Sequence, residues 1–178
     1  SDLATVQVLI NAGAAVDQAL DNEVTPLLIA SQKGYIEVVT ALIAGGAAVN
    51  QAHDGGETPL FIAATQGHVE VVKALIAANA ALNQARTSDL ATPLFIASQK
   101  GHVEVVKALL DAGAAVDKPL TDGATPLLIA SQNGHLEVVN ALIAAGAAVD
   151  RQLTDGATPL FIASENGHTE VVKALLDK

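Results

Sequence analysis

The chain has 178 residues, a formal net charge of -10, and a composition that is 51% hydrophobic but only 2% aromatic, with no Cys, Met or Trp. An apolar fraction this high excludes a disordered acidic chain, and the lack of Cys excludes a disulfide scaffold, a thiolate nucleophile and a Cys-ligated zinc site. The acidity argues against nucleic acid, because phosphate binding rests on clustered Lys and Arg. A mean hydropathy of +0.40 invites a membrane reading. The longest stretch free of Asp, Glu, Lys and Arg, Val38 to His53, is interrupted by Gly45, Gly46, Asn50 and Gln51. A span needs about 18 apolar residues in a row, so that reading fails. The length suits about one domain.

About a fifth of the residues are Ala, which directs attention to internal repeats. In chain order, Thr-Pro-Leu starts at Thr25, Thr58, Thr92, Thr125 and Thr158, with spacings of 33, 34, 33 and 33. Glu-Val-Val recurs in phase from Glu37, Glu70, Glu104, Glu137 and Glu170, and Ala-Leu-Ile/Leu from Ala41, Ala74, Ala108, Ala141 and Ala174. Residues 1–17 read as the second half of a preceding unit. Full units follow at 18–50, 51–83, 84–117 and 118–150, and 151–178 is a last unit lacking its final positions.

The unit 118–150 shows the local physics. Thr125 before Pro126 is a helix start, a hydroxyl cap followed by a proline whose missing N–H costs nothing there. Leu127, Leu128, Ile129 and Ala130 predict a short buried helix that Gly134 ends. A second helix is predicted from Leu136 to Ala145, with Val138, Val139, Leu142 and Ile143 on its inner stripe and Glu137 and Asn140 outside. Gly146 stands where the chain must turn left-handed after that helix, as do Gly13, Gly46, Gly113 and Asn79. An extended segment, Ala148 to Gln152, then leads to the turn signal Asp155-Gly156.

With Thr-Pro-Leu-x-Ile-Ala, Gly-His-x-Glu-Val-Val and Gly-Ala-x-Val-Asp/Asn in register, the chain resembles the ankyrin repeat family over its whole length. The resemblance implies an all-α solenoid of stacked helix-turn-helix units with projecting β-hairpin-like loops, forming one domain, 1–178. There are departures. The family usually has His after Thr-Pro-Leu, where this chain has Leu28, Phe61, Phe95, Leu128 and Phe161. The turn glycine of Gly56, Gly123 and Gly156 is replaced by Glu23 and Leu90, and one extra residue lies within Arg86–Ala91. The resemblance implies a non-catalytic module that binds a protein or peptide partner, the alternative being a structural spacer or scaffold segment of a larger protein or effector. It implies an intracellular, cytoplasmic setting by default, or that of a secreted effector.

The recurring polar residues do not assemble chemistry. One histidine per unit (His68, His102, His135 and His168, with Tyr35 in the first) is too widely spaced for a shared metal, since helices stack about 8–10 Å apart. Each ring is expected to bond backbone near the turn between helices, and His53 alone in a loop suggests no ligand set. Ser31, Ser98, Ser131 and Ser164 are expected to bond back within their helices, and no His–carboxylate pair recurs beside them. Glu70–Lys73, Glu104–Lys107 and Glu170–Lys173 read as surface pairs. No cofactor motif is present.

The units vary at the loop tip and at the end of the first helix, which in ankyrin-like repeats line the concave face. By position these residues are Asp21, Asn22, Val24, Gln32 and Lys33; Asp54, Gly55, Glu57, Thr65 and Gln66; Thr87, Ser88, Ala91, Gln99 and Lys100; Thr121, Asp122, Ala124, Gln132 and Asn133; and Thr154, Asp155, Ala157, Glu165 and Asn166. This polar, mostly acidic surface suits a neutral or basic partner, or is a solvated face that varies because nothing constrains it. Leu20, Leu120 and Leu153 share one tip position and either anchor a partner or pack on the neighbouring loop. The chain begins at Ser1 inside a second helix whose partner helix is missing and ends just after Leu175 and Leu176, with no capping pattern. It reads as a segment of a longer array or a chain with trimmed termini, and its bare ends are expected to stack end to end on other molecules.

Overall fold

The computed structural model describes residues 3–178, Val6 by its backbone alone. Ser1, which the sequence sets in the opening helix, lies outside the described residues. Eleven helices and no strand occur among the described residues: α1 (Leu3–Asn11), α2 (Pro26–Lys33), α3 (Ile36–Ala44), α4 (Pro59–Gln66), α5 (Val69–Ala77), α6 (Pro93–Lys100), α7 (Val103–Asp111), α8 (Pro126–Gln132), α9 (Leu136–Ala144), α10 (Pro159–Glu165) and α11 (Thr169–Leu176). The even-numbered helices are the first helices of their pairs and the odd-numbered ones the second. First helices stack on first helices, α2 on α4, α6, α8 and α10 in turn, and second helices stack likewise from α1 to α11. The fold is an all-helical solenoid.

Each first helix starts as the Thr-Pro pattern dictates. The hydroxyls of Thr25, Thr58, Thr92, Thr125 and Thr158 accept the backbone N–H three residues on, at 3.2–3.3 Å. This satisfies a donor that the helix cannot satisfy itself. The second helices α1, α3, α5, α7 and α9 end through a left-handed residue. After α9 the turn runs Ala145, then Gly146 at φ 87°, and Ala147 N–H returns to Leu142 O at 3.0 Å. Asn79 takes the same place after α5 at φ 60°. The segment expected to be extended from Ala148 opens instead with a turn at Val149–Asp150.

The projecting loops are hairpin-like only in outline. Each is closed by two backbone bonds at its first residue: the N–H groups of Leu20, His53, Leu120 and Leu153 donate to the carbonyls of Val24, Glu57, Ala124 and Ala157 at 2.9–3.2 Å, and their own carbonyls accept from Glu23, Gly56, Gly123 and Gly156 N–H at 2.8–3.1 Å. In the third loop the extra residue widens the closure, so that Arg86 N–H reaches Ala91 O at 2.8 Å. Glu23 and Leu90, the two replacements of the turn glycine, keep its left-handed backbone at φ 61° and 67°. That conformation costs a non-glycine residue about 1–2 kcal/mol.

The core is a ribbon running through the stack. Leu27, Leu60, Leu94 and Leu127 and the alanines Ala30, Ala63, Ala97, Ala130 and Ala163 are buried between first helices. The small alanines let these helices approach closely. The residues after Thr-Pro-Leu, Leu28, Phe61, Phe95 and Leu128, are buried too, so apolar packing takes the place of the usual histidine there. Phe161, in the last first helix and with none beyond it, is 58% exposed.

At the turn between paired helices, a glycine of one pair meets the histidine of the next. A Cβ on Gly101 would lie 2.8 Å from the His135 ring, and the contact repeats at Gly34–His68, Gly67–His102 and Gly134–His168. Gly101 also holds φ 74°.

Two stability outcomes follow in denaturant titrations. Leu142→Ala removes a fully buried side chain from α9 and is expected to cost about 2–5 kcal/mol; near-neutral stability would contradict the inward face assigned to α9. Gly101→Ala combines a left-handed strain with a ring clash and is expected to cost about 1–3 kcal/mol. An unchanged midpoint would mean that the Gly–His contact is not tight.

Candidate functional site

The tips and the ends of the first helices are held by bonds that cross from one unit to the next. His68 Nε2 lies 3.1 Å from Gln32 O, His102 Nε2 3.1 Å from Thr65 O, His135 Nε2 3.1 Å from Gln99 O and His168 Nε2 2.9 Å from Gln132 O. A carbonyl can only accept, so each Nε2 carries the proton. The rings do bond backbone, as expected, but the backbone is that of the preceding unit. A second series runs along the Asp/Asn that closes each motif. The carboxamide or carboxylate oxygens of Asp17, Asn50, Asn83 and Asp117 accept from Ala48, Ala81, Ala115 and Ala148 N–H. A third links tip to tip through backbone: Asp54 N–H to Asn22 O, Thr87 to Gly55, Thr121 to Asp89 and Thr154 to Asp122, at 3.1–3.3 Å.

On this fixed backbone the residues predicted to face a partner divide into two groups. Some are already used inside the chain. Thr65 bonds back to Phe61 O, Thr87 Oγ1 reaches Gly55 O, and Asn133 Nδ2 reaches Gln99 O. Asp122 and Asp155 each accept an N–H two residues on in their own loops, and Asn166 bonds back to Ile162 O. Glu57 is shared between two neighbours. The side chains of the others have no partner among the described residues. At the tips these are Asp21, Asn22, Asp54, Ser88, Thr121 and Thr154; at the helix ends they are Gln32, Lys33, Gln66, Gln99, Lys100, Gln132 and Glu165. Nearly all of them are exposed, with Gln99 half-buried. Two positions need correcting. Ala91 and Ala124 are buried against the core and offer nothing to a partner. Val24, Gly55 and Ala157 are half-buried.

The tip position of Leu20, Leu120 and Leu153 gives a mixed result. Leu120 and Leu153 pack on the core, whereas Leu20 is 68% exposed. In the second and third tips the same position holds His53 and Arg86, which build a polar cluster. His53 Nε2 lies 2.8 Å from Glu57 Oε2, and Gly55 N–H donates to His53 Nδ1 at 2.8 Å. Arg86 donates to Glu57 Oε1 at 3.1 Å and forks onto both oxygens of Asp89, with its guanidinium 5.3 Å from the Phe61 ring centre. Asp89 raises the Arg86 pKa further above its already high ordinary value. Arg86 in turn holds the Asp89 carboxyl below the ordinary aspartate value. Sequence reasoning missed this cluster. The available signal was two adjacent units carrying His and Arg in a leucine column, with Glu57 in a column otherwise Val or Ala.

The remaining polar residues are structural. Ser98, Ser131 and Ser164 bond back to the carbonyl four residues earlier at 2.7 Å, while the buried Ser31 hydroxyl has no partner. The Glu70–Lys73, Glu104–Lys107 and Glu170–Lys173 pairs are exposed, at 2.8–2.9 Å. Among the described residues no group of His, Asp and Glu is placed to hold a metal, and no helix is long and apolar enough to cross a membrane.

The sequence matches the family model for ankyrin repeats over residues 1–86, 30–119 and 94–178, the full length of the chain. The chain belongs to the ankyrin-repeat family. Family and fold together give it a general protein–protein interaction role, and members of the family act as non-catalytic scaffolds. No curated protein matches the sequence.

The Arg86 cluster predicts a pH dependence. The folded-state pKa of Asp89 is depressed, so its pairing stabilises the fold above the ordinary aspartate pKa of about 4 and that stability is lost as pH falls through the lowered value. Asp89→Asn is therefore expected to lower the denaturation midpoint near neutral pH and to match the parent in strong acid. A constant difference at every pH would contradict the pairing.

Proposed function

We propose that the chain binds a protein or peptide partner on the surface formed by its loop tips and first-helix ends, the concave face of an ankyrin stack. One observation carries the reading. The backbones of these segments are tied to the neighbouring unit by the histidine and tip-to-tip bonds, while side chains such as Asn22, Gln32, Gln66, Lys100 and Gln132 remain without intrachain partners. Such a surface is ordered before binding, so little conformational entropy is lost on association. The units of the surface are proposed to be the repeats 18–50, 51–83, 84–117 and 118–150, with part units 1–17 and 151–178, in an intracellular setting.

The acidic tips, with Asp21, Asp54, Asp122 and Asp155 exposed, favour a basic or neutral partner and speed its encounter at low salt. No aromatic side chain stands among the tip and helix-end residues, so affinity is spread over polar contacts of several repeats rather than held by a few large anchors. A second copy of the chain is a further proposed partner. Leu20, Ile29 and Tyr35 are exposed at one end of the stack and Phe161 and Leu176 at the other. If a second copy set its α10 on α2, its α11 would fall where α1 packs on α3, so in-register stacking requires α1 to give way. Sedimentation is expected to show mass rising with concentration. A strict monomer at high concentration would remove the second copy as a partner.

The main reading is tested by affinity capture with Gln66→Ala, Lys100→Ala and Gln132→Ala combined, substitutions that break no bond inside the chain. Loss of the captured partners is expected, together with an association rate that falls as salt rises. An unchanged set of captured proteins would favour the spacer role instead.

A further inference from the structure

The second tip departs from its neighbours in a way that leaves space. Where Leu120 and Leu153 fill their tip position by packing on the core, His53 is drawn into its own loop by Glu57 Oε2 and Gly55 N–H, each at 2.8 Å. Beside it lies a cavity of about 210 Å³ between the first two tips and helices α2 and α4. Its walls are aliphatic, from Val24, Ile29 and Ile62. Polar groups line it as well, from Asn22, Gln32, His53 and Glu57. The side-chain amides of Asn22 and Gln32 have no partner among the described residues. Glu57 offers about four acceptor sites and uses two, one on Oε2 for His53 and one on Oε1 for Arg86.

We propose that this cavity is a receiving site for a lysine side chain of the partner. The inference rests on the reading of the tip and helix-end surface as the partner face and names one of its contacts. The aliphatic stem of a lysine lies along Val24, Ile29 and Ile62, and its ammonium stays with the polar groups, the usual division of such a side chain between apolar wall and polar surroundings. Charge favours a cation. The two tips carry Asp21, Glu23, Asp54 and Glu57 and no Lys or Arg, and of the nearby cations Arg86 is already committed to Asp89 and Glu57. Lys33, at the end of α2, is the one opposing charge on that helix. The chemistry favours lysine over arginine. A guanidinium gains most as a planar fork onto both oxygens of one carboxylate, whereas the acceptors lining this cavity lie on three separate side chains, Asn22, Gln32 and Glu57. An ammonium is a compact charge with three freely directed donors. It can take one remaining Glu57 site together with the amide oxygens of Asn22 and Gln32.

The test uses the full chain and three small probes, the N-acetyl methylamides of lysine, arginine and norleucine, followed by backbone amide chemical shifts. The lysine probe is expected to give saturable shifts at Asn22, Gln32 and Gly55, with an affinity about tenfold better than norleucine or arginine. Glu57→Gln, and separately Val24→Phe, which fills the cavity, are each expected to weaken it about tenfold while shifts across α6 to α11 stay in place. Absence of saturable shifts, or equal binding of norleucine or arginine, would overturn the lysine site. If that happened while the triple helix-end variant still lost its captured partners, the surface reading would stand and this contact alone would fall.

Discussion

The whole molecule depends on the packing of one first helix against the next. A single helix pair of this size cannot bury its own apolar face, so each unit completes the core of its neighbour. Leu27, Leu60, Leu94 and Leu127 reach full burial because a second first helix lies against each of them. Phe161 holds the position of the buried Phe61 and Phe95 and is exposed, which shows what the neighbour contributes. Close approach sets the rest of the sequence. It demands alanine at the contact and glycine at the turn, where the His135 ring leaves no room for a Cβ on Gly101.

That same contact orders the surface proposed to meet a partner. When the helices stack, each histidine reaches the last carbonyls of the preceding first helix, and these belong to Gln32, Thr65, Gln99 and Gln132. The residues bearing those carbonyls belong to the segments proposed to meet a partner. The bonds that hold the stack together are thus also the bonds that fix the proposed face, through the backbone and not through the side chains. The protein can vary the side chains at these positions without disturbing the stack. The Arg86 cluster is an exception, where the Glu57 side chain is already engaged in holding the inserted loop.

Most of the fold is legible in the sequence because its signals repeat. Thr-Pro-Leu fixes five helix starts, and the left-handed residues after the second helices fall at Gly13, Gly46, Asn79, Gly113 and Gly146 as their spacing implies. The candidate surface is only partly legible. Position in the repeat locates the tips but does not reveal exposure, and Ala91 and Ala124 are buried as part of the core. The His53–Glu57–Arg86–Asp89 cluster joins residues of two units and occurs once, so periodicity marks it only as a break in two otherwise apolar columns and not as a set of contacts. The histidines show the same limit. Their recurrence signals a structural bond, but only the stacked geometry gives its acceptor as a carbonyl some 36 residues earlier.

The central claim is that the tips and helix ends are rigid before any partner arrives. Backbone order parameters of the free chain test it most directly, read at the tip amides of Asp54, Thr87, Thr121 and Thr154 and at Gln32, Gln99 and Gln132. The account predicts values of about 0.85, those of rigid backbone, at every one of these positions. Values below about 0.6 at the tips, beside rigid helices, would contradict it by showing a surface that orders only on binding.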